Sequence, residues 1–182
     1  MNSCWRRVML LLWFVKRLHR QACKQIMRDH REMFCQAPGS GHNHQAFKGG
    51  YLGHVSEVMT IGFVLWWTSR VFWYRRSLSF TLSDVLLILF LHDIEKPFKY
   101  TPTEDGGVEI GSKDERERFR YELLERYGIV LDSEQDNAMR YVEGEYRDYS
   151  STKRVMRELA AFCHVCDVIS ARIYWNEPRL LA

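Results

Sequence analysis

A histidine and an aspartate follow directly on a long apolar run. Residues 85–91 read VLLILFL, and His92 and Asp93 come next, followed by Glu95 and Lys96. An imidazole offers a neutral nitrogen and a carboxylate offers an anionic oxygen, and divalent metal ions bind both kinds of donor. A lone His-Asp pair is more often a cap paired with a neighbour, so a metal site requires further donors elsewhere in the chain.

Two further polar residues interrupt apolar helical faces. Residues 51–67 predict a helix whose apolar face contains His54, and residues 151–175 predict a helix with Asp167 in its middle. A histidine on such a face needs a partner or a metal, and a lone carboxylate there is costly unless it is paired or ligates metal. Together with the His-Asp pair, these residues are candidate metal ligands.

The cysteines give a weaker pattern. Cys163 and Cys166 have the spacing of half a zinc knuckle, but the sequence contains no second pair at a suitable spacing. The odd total of five cysteines shows no disulfide-rich pattern, which favours reduced thiols and a cytoplasmic protein. We therefore expect Cys163 and Cys166 to be small core residues.

Helices must position the candidate ligands. Residues 5–34 contain no Gly or Pro, which predicts one or two helices before the first ligand. Thr81 and Asp84 have the spacing of a capping box in front of the apolar run. Pro97 is expected to stop the helix just after the His-Asp pair.

The later part of the chain predicts helices as well. Residues 114–127 are strongly charged and carry apolar residues at helical spacing, and residues 133–143 follow with Ser133 as N-cap. Residues 100–110 contain proline and glycine among acidic residues, which is typical of a mobile flap or a short β-hairpin. We therefore expect an all-α fold with at most one short hairpin.

Length and charge set the domain organisation. A chain of 182 residues with 46% hydrophobic residues predicts one domain with a sizeable core. We expect residues 1–36 to form a basic amphipathic helical segment and residues 42–175 to form the metal-binding helical core. Basic residues near the start suit an anionic ligand such as a phosphate ester or nucleic acid, and a solvated helix face explains them equally well. No segment predicts a membrane span.

The order His, His-Asp, Asp over a set of helices resembles the HD superfamily of metal-dependent phosphohydrolases. The resemblance rests on residues 49–54 (GGYLGH), 91–96 (LHDIEK) and 160–167 (AAFCHVCD). It implies that the chain, residues 1–182, is a single HD-type helical bundle. It also implies one divalent ion (Mn, Mg, Fe, Co, Ni or Zn) held by four ligands, which are His54, His92, Asp93 and Asp167.

The chain departs from the family pattern in two ways. Members that bind two metals usually carry extra histidines between the His-Asp pair and the final aspartate, and here that interval contains only His164. A mononuclear site is therefore favoured. Glu95 stands where glycine is usual in the family. It is a candidate general base or a hydrogen-bond acceptor behind the ligands, and a cap or ion-pair role is the more common one.

The resemblance implies hydrolysis of a phosphate ester or anhydride of a nucleotide-type substrate. A divalent ion would activate the phosphoryl group and a water, with Asp93 or Glu95 orienting that water. The residues expected to bind the substrate are Lys96, His44, Lys48 and His164. Ordinary alternatives remain open, because loop histidines are often solvent-exposed and His164 can simply pack in the core.

Two other functions are compatible with the sequence. Gly-Gly followed by a histidine four positions later resembles the HD nucleases that act on single strands, so a short oligonucleotide is an alternative substrate. A metal-bound sensor domain without turnover belongs to a different class. A homo-oligomer is also possible, since the tryptophans Trp66, Trp67 and Trp73 suit a dimer surface, although burial in the core is favoured for them.

Overall fold

The computed structural model describes residues 3–41, 45–72, 77–100 and 110–173, and the regular elements among them are all helical. The helices are α1 (Ser3–Leu11), α2 (Arg17–Asp29), α3 (Arg31–Gln36), α4 (Gly50–Phe72), α5 (Leu82–Leu91), α6 (Lys96–Tyr100), α7 (Lys113–Arg126), α8 (Ser133–Tyr141) and α9 (Glu158–Ile173), with short 3-10 helices at Leu12–Phe14 and Tyr146–Asp148. The prediction of an all-α fold is confirmed.

The optional β-hairpin is not supported. The described residues contain no strand, and residues 101–109, which make up nearly all of the segment with the hairpin pattern, lie outside them. The helix α6 already ends at Tyr100, and residue 110 is buried beside the start of α7. The division of the chain into residues 1–36 and 42–175 stays a prediction.

The central helix of the fold is α5. All ten of its residues are buried, and it contacts α4, α8 and α9. Gly62 of α4 faces it: a Cβ atom on Gly62 would lie 2.4 Å from Leu89 Cδ1 and 3.0 Å from Val85 Cγ1. The missing side chain therefore lets α4 and α5 approach closely, and this approach brings together the carboxyl end of α5 and the first half of α4.

The predicted capping box at the start of α5 is confirmed. The Thr81 hydroxyl accepts a hydrogen bond from the Asp84 amide, and the Asp84 carboxylate accepts one from the Thr81 amide. Gln135 Nε2 of α8 also donates to Asp84 Oδ1 over 2.9 Å. Burial alone would raise the pKa of Asp84, but the hydrogen bonds from Thr81 and Gln135 outweigh it and lower this pKa below its ordinary value.

Pro97 does not stop α5 as the sequence suggested. That helix ends at Leu91, residues 92–95 form a turn, and Pro97 lies in the first turn of α6. A proline is tolerated there because the first amides of a helix have no intrahelical acceptor. The His-Asp pair therefore stands in a tight turn between two helices.

The starts of α8 and α9 also differ from the prediction. Asp132, not Ser133, is the N-cap of α8, and its carboxylate accepts hydrogen bonds from the amides at residues 134 and 135. The last helix begins at Glu158 rather than near residue 151. The amides of Met156 and Arg157 are hydrogen-bonded to the side chains of Glu145 and Asn137, which holds the preceding segment in a non-helical path.

The amino-terminal part of the described chain is helical and is broken into short pieces. In α1, Trp5, Val8 and Leu11 are buried, and this helix contacts α4. Cys163 and Cys166 are buried free thiols, which confirms their core placement. None of the described helices has the length and apolar character needed to cross a membrane.

Candidate metal centre

Three helices deliver the predicted ligands to one place. His54 lies on α4, His92 and Asp93 form the turn after α5, and Asp167 lies on α9. The contacts of α4 with α5 and α9 bring these elements together. Both histidines are fully buried, Asp93 is 4% exposed, and Asp167 is partly exposed. The ligand candidates therefore meet inside the fold, with access from the side of Asp167.

Three donor atoms form a nearly equilateral triangle. The Nε2 atoms of His54 and His92 lie 3.2 Å apart, and Asp93 Oδ2 lies 3.4 Å from the first and 3.3 Å from the second. For metal-ligand bonds of about 2.1 Å, donor atoms lie about 3.0 Å apart in octahedral and about 3.4 Å apart in tetrahedral coordination. This buried group can therefore hold a metal ion without rearrangement.

Asp167 stands beside the triangle. Its Oδ1 atom lies 3.1 Å from His54 Nε2 and 3.7 Å from His92 Nε2. The structure thus brings together all four residues expected to ligate a metal, which we call the metal centre: His54, His92, Asp93 and Asp167. Their action as ligands stays a prediction.

The second ring nitrogen of His92 fixes which atom faces the metal centre. His92 Nδ1 lies 2.9 Å from the carbonyl oxygen of Leu89, one turn earlier in α5. A carbonyl oxygen only accepts, so Nδ1 carries the hydrogen, and the neutral ring presents the Nε2 lone pair to the centre.

A hydrogen-bond chain fixes His54 in the same way. Ser170 Oγ of α9 donates to Glu57 Oε2 of α4 over 3.0 Å, and His54 Nδ1 lies 3.1 Å from the same Oγ atom. Because the Ser170 hydrogen is used towards Glu57, His54 Nδ1 must donate to Ser170, and His54 Nε2 also presents a lone pair. Gln45 Nε2 donates to Glu57 and completes the chain.

Four electron-rich atoms therefore converge without a hydrogen of their own: two imidazole Nε2 atoms and two carboxylate oxygens. Such a group is stable in a buried site only when a cation lies between its members, either a proton or a metal ion. The chain matches no family model, no curated protein and no solved structure. The assignment of the metal centre therefore depends on its own geometry, and the helical fold with its His-His-Asp group is compatible with an HD-like fold.

The charges around the metal centre are strongly coupled. Burial disfavours the His92 imidazolium, but the charge of Asp93 outweighs this and, together with Asp167, raises the pKa of His92 to about 10. Burial would raise the pKa of Asp93, whereas Lys96 and His92 hold it well below its ordinary value. In the metal-free protein, a proton on His92 is therefore the cation that the carboxylates require.

Glu95 lies just behind the metal centre. Its side chain is fully buried, and neither carboxylate oxygen has a hydrogen-bond partner among the described residues. Arg120 Nε lies 3.8 Å from Glu95 Oε2, and Arg120 also donates to the His92 carbonyl. Burial, with the neighbouring charge of Asp93, raises the pKa of Glu95 to about 7. Carboxylate oxygens of Asp93, Glu95 and Glu143 lie within 4.8 Å of one another.

The predicted substrate-binding residues have different outcomes. Lys96 Nζ contacts Asp93 Oδ2, and 16% of its side chain is exposed, so this cation borders the metal centre. Half-buried His164 has its Nδ1 atom 2.7 Å from the Val142 carbonyl oxygen. Lys48 is exposed before α4 and forms no ion pair with any described residue. His44 lies outside the described residues.

The sequence pattern did not reveal the supporting residues Glu57, Ser170 and Arg120. Glu57 lies three positions after His54, and Ser170 lies three positions after Asp167, so each shares a helix face with a candidate ligand. This spacing of three residues was the only feature of the sequence that could have pointed to Glu57 and Ser170. Arg120 carries no such signal, because its contact with residues 92 and 95 depends on how α7 packs.

Proposed function

We propose that the chain is a divalent-metal-dependent phosphohydrolase that cleaves a phosphate ester or anhydride of a nucleotide-type substrate. Two facts support this. The observation that carries it is the convergence of two imidazole nitrogens and the Asp93 carboxylate at donor spacings that suit a divalent ion, with Asp167 Oδ1 beside them. The order of these residues along the chain is also that of the HD superfamily, which is the basis for naming the phosphoryl group as the target.

The donor set fits a divalent ion of borderline hardness, held by His54, His92, Asp93 and Asp167. Mixed nitrogen and oxygen donors suit Mn, Fe, Co, Ni or Zn, and Mg remains compatible through the carboxylates. Such an ion supplies Lewis-acid activation of a phosphoryl oxygen and of water.

Lys96 is suited to bind the phosphoryl oxygens. Its ammonium contacts the carboxylate of Asp93, and part of its side chain is exposed, so a bound phosphate can reach it. Burial lowers the pKa of Lys96, but Asp93 outweighs this and raises it, so the side chain stays charged. A compact ammonium stabilises the charge that builds up on phosphoryl oxygens during hydrolysis.

Glu95 is suited to accept the proton of the attacking water. Its carboxylate is buried, lies close to that of Asp93, and has no hydrogen-bond donor among the described residues that would occupy its oxygens. A carboxylate in this state can orient a water and take its proton. Arg120 positions it from the other side over 3.8 Å.

The test is metal-dependent phosphate release from a panel of nucleoside mono-, di- and triphosphates, cyclic nucleotides and short oligonucleotides. We expect activity on one class, loss of that activity in Asp93→Ala, and a decrease of about 10²-fold or more in Glu95→Gln. Glu122→Gln is the matched control, because Glu122 lies on the exposed face of α7 and pairs there with Arg118. Activity confined to oligonucleotides would assign the nuclease alternative. No activity with any ion, despite bound metal, would overturn the proposal in favour of a sensor.

A further inference from the structure

A polar cleft adjoins the metal centre. It has a volume of about 580 Å³ and lies between the first turns of α7 and residues 140–148, from the end of α8 onwards. This size suits a nucleotide-sized ligand. Glu143 belongs both to the lining of the cleft and to the carboxylate cluster with Asp93 and Glu95, so this side chain links the cleft to the residues around the metal centre.

Tyr146 is the aromatic residue in the lining of this cleft. The residue is large and 61% exposed, and it lies next to a candidate site. Its φ angle is +45°, in the left-handed region that non-glycine residues rarely adopt. A strained backbone that presents an exposed ring beside a candidate site points to a functional role for that ring.

Gly144 connects Tyr146 to the helix that carries Asp167. A Cβ atom on Gly144 would lie 3.6 Å from His164 Cε1 and 3.8 Å from Tyr146 Cε2, and the φ angle of Gly144 is +117°. The backbone of Gly144 thus lies between the His164 ring and the Tyr146 ring. Partial burial and the charges of Glu143 and Asp167 raise the pKa of Tyr146, which agrees with a ring close to the metal centre.

The cleft also contains a cation without an ion-pair partner among the described residues. Arg116 of α7 lines the cleft and is partly buried, and its buried Nε atom has no hydrogen-bond partner. Arg140, in contrast, is paired with Asp148 over 2.9 Å. Lys113 Nζ lies 5.1 Å from the centre of the Tyr146 ring, so the face of this ring already accepts a cationic partner.

We propose that Tyr146 stacks against the nucleobase of the substrate and thereby makes the cleft prefer nucleotides. In the same proposal, Arg116 binds a sugar or phosphate oxygen of that nucleotide. This inference rests on the proposed function, because it assumes that the phosphate group lies at the metal centre. An aromatic ring stacks on any base, so the cleft selects for nucleotides over sugar phosphates without selecting strongly among bases.

The test compares AMP with ribose 5-phosphate, which carries an anomeric hydroxyl in place of the base, by titration calorimetry on the Mn²⁺-loaded protein. In wild type we expect AMP to bind more tightly. Tyr146→Ala should weaken AMP binding by about 5- to 150-fold and leave ribose 5-phosphate binding unchanged. Tyr146→Phe, which keeps the ring, should retain AMP binding. Tyr149→Ala removes another exposed tyrosine of the same segment and serves as the matched control.

Three results would overturn the stacking role: equally tight binding of both ligands to wild type, no AMP binding at all, or an equal loss of both ligands in Tyr146→Ala. Circular dichroism confirms that each variant is folded, and little change is expected because the ring is mostly exposed.

Hydrolysis appears in the same experiment as continuous heat after each injection. Base-selective binding without that heat, together with no phosphate release from any member of the substrate panel, would refute the hydrolase and keep the stacking site, so the two failures are distinguishable.

Discussion

The Nε2 atoms of His54 and His92 lie 3.2 Å apart, and when both rings are neutral each presents a lone pair there. Two lone pairs at this distance repel each other unless a cation lies between them. Each ring is oriented from behind, His92 by the Leu89 carbonyl and His54 by Ser170. The orientation of these two rings is therefore the feature of the fold that makes a cation site.

The hydrogen-bond chain behind His54 should control metal affinity. Ser170→Ala removes the acceptor of the His54 Nδ1 hydrogen, which frees the ring to rotate or to change tautomer. We expect metal affinity to fall by about 10- to 100-fold. Because the buried Nδ1 hydrogen loses its acceptor, the free energy of unfolding should also fall by about 1–3 kcal/mol. Isothermal titration with Mn²⁺ or Zn²⁺ measures the affinity.

Ser56→Ala is the control for that experiment. Ser56 is also a buried serine, on the same helix as His54, but its hydroxyl has no hydrogen-bond partner among the described residues. Its removal should leave metal affinity within about twofold of wild type. Equal metal affinity in Ser170→Ala and wild type would show that the chain from Glu57 does not orient the ligand.

Metal binding should release protons. In the metal-free protein, Asp93 and Asp167 raise the pKa of His92 to about 10 against the effect of burial, so its Nε2 carries a proton at neutral pH. An incoming ion must displace it, and about one proton should leave per ion bound. Calorimetric titrations at about pH 7.5 in buffers of different ionisation enthalpy count the protons released.

The raised pKa of His92 determines how metal affinity and the stability of the metal-free protein change with pH. Metal affinity should increase with pH, because fewer protons compete for the imidazoles. The stability that the metal-free protein gains from the charged His92 is fully present below its ordinary pKa of 6.5 and is lost as the pH rises through about 10. An affinity that does not change between about pH 6 and about pH 8 would contradict both the ligand assignment and the raised pKa.

The capping box of α5 should contribute measurably to folding stability. Asp84→Asn replaces a carboxylate that accepts hydrogen bonds from Thr81 and Gln135. We expect the free energy of unfolding to fall by about 1–2 kcal/mol at neutral pH, measured by urea denaturation. The folded pKa of Asp84 is lowered, so its contribution is present above 3.8 and is lost as the pH falls through that lower value.

Asp114→Asn is the control, because it makes the same replacement at an exposed position in the first turn of α7. It should lower the free energy of unfolding by only a few tenths of a kcal/mol. The difference in stability between wild type and Asp84→Asn should shrink in acid. A difference that stays constant down to about pH 2 would show that the charge of Asp84 does not stabilise the fold.

The close approach of α4 and α5 should depend on Gly62. Gly62→Ala places a methyl group 2.4 Å from Leu89 Cδ1, so a side chain or a helix must shift. We expect a loss of about 1–3 kcal/mol in the free energy of unfolding, together with weaker metal binding because His92 follows α5. Gly53→Ala on the same helix meets no atom within 4 Å and should be neutral or stabilising by up to about 1 kcal/mol. Similar stabilities of the two variants would exclude a packing role for Gly62.

The sequence located the metal centre better than it located the helix ends. Each candidate ligand is a polar residue on, or directly after, an otherwise apolar helical stretch, and burying such a residue without a partner is costly, so its presence indicates a site. The ends of helices depend on side chains from elsewhere. The start of α9 is set by Asn137 and Glu145, which lie 13 or more positions away from it along the chain, and no local pattern contains that information.

The amino-acid sequence by itself determined the all-α fold, the capping box of α5 and the four residues that meet at the metal centre, because local periodicity and the cost of burial act at each position separately. Only the tertiary structure decided the orientation of both imidazoles, the burial of Glu95 behind them and the position of Tyr146 in the cleft. These features depend on contacts between distant helices, and a hydrogen bond between α4 and α9 requires both helices to be packed in place before it can select a tautomer.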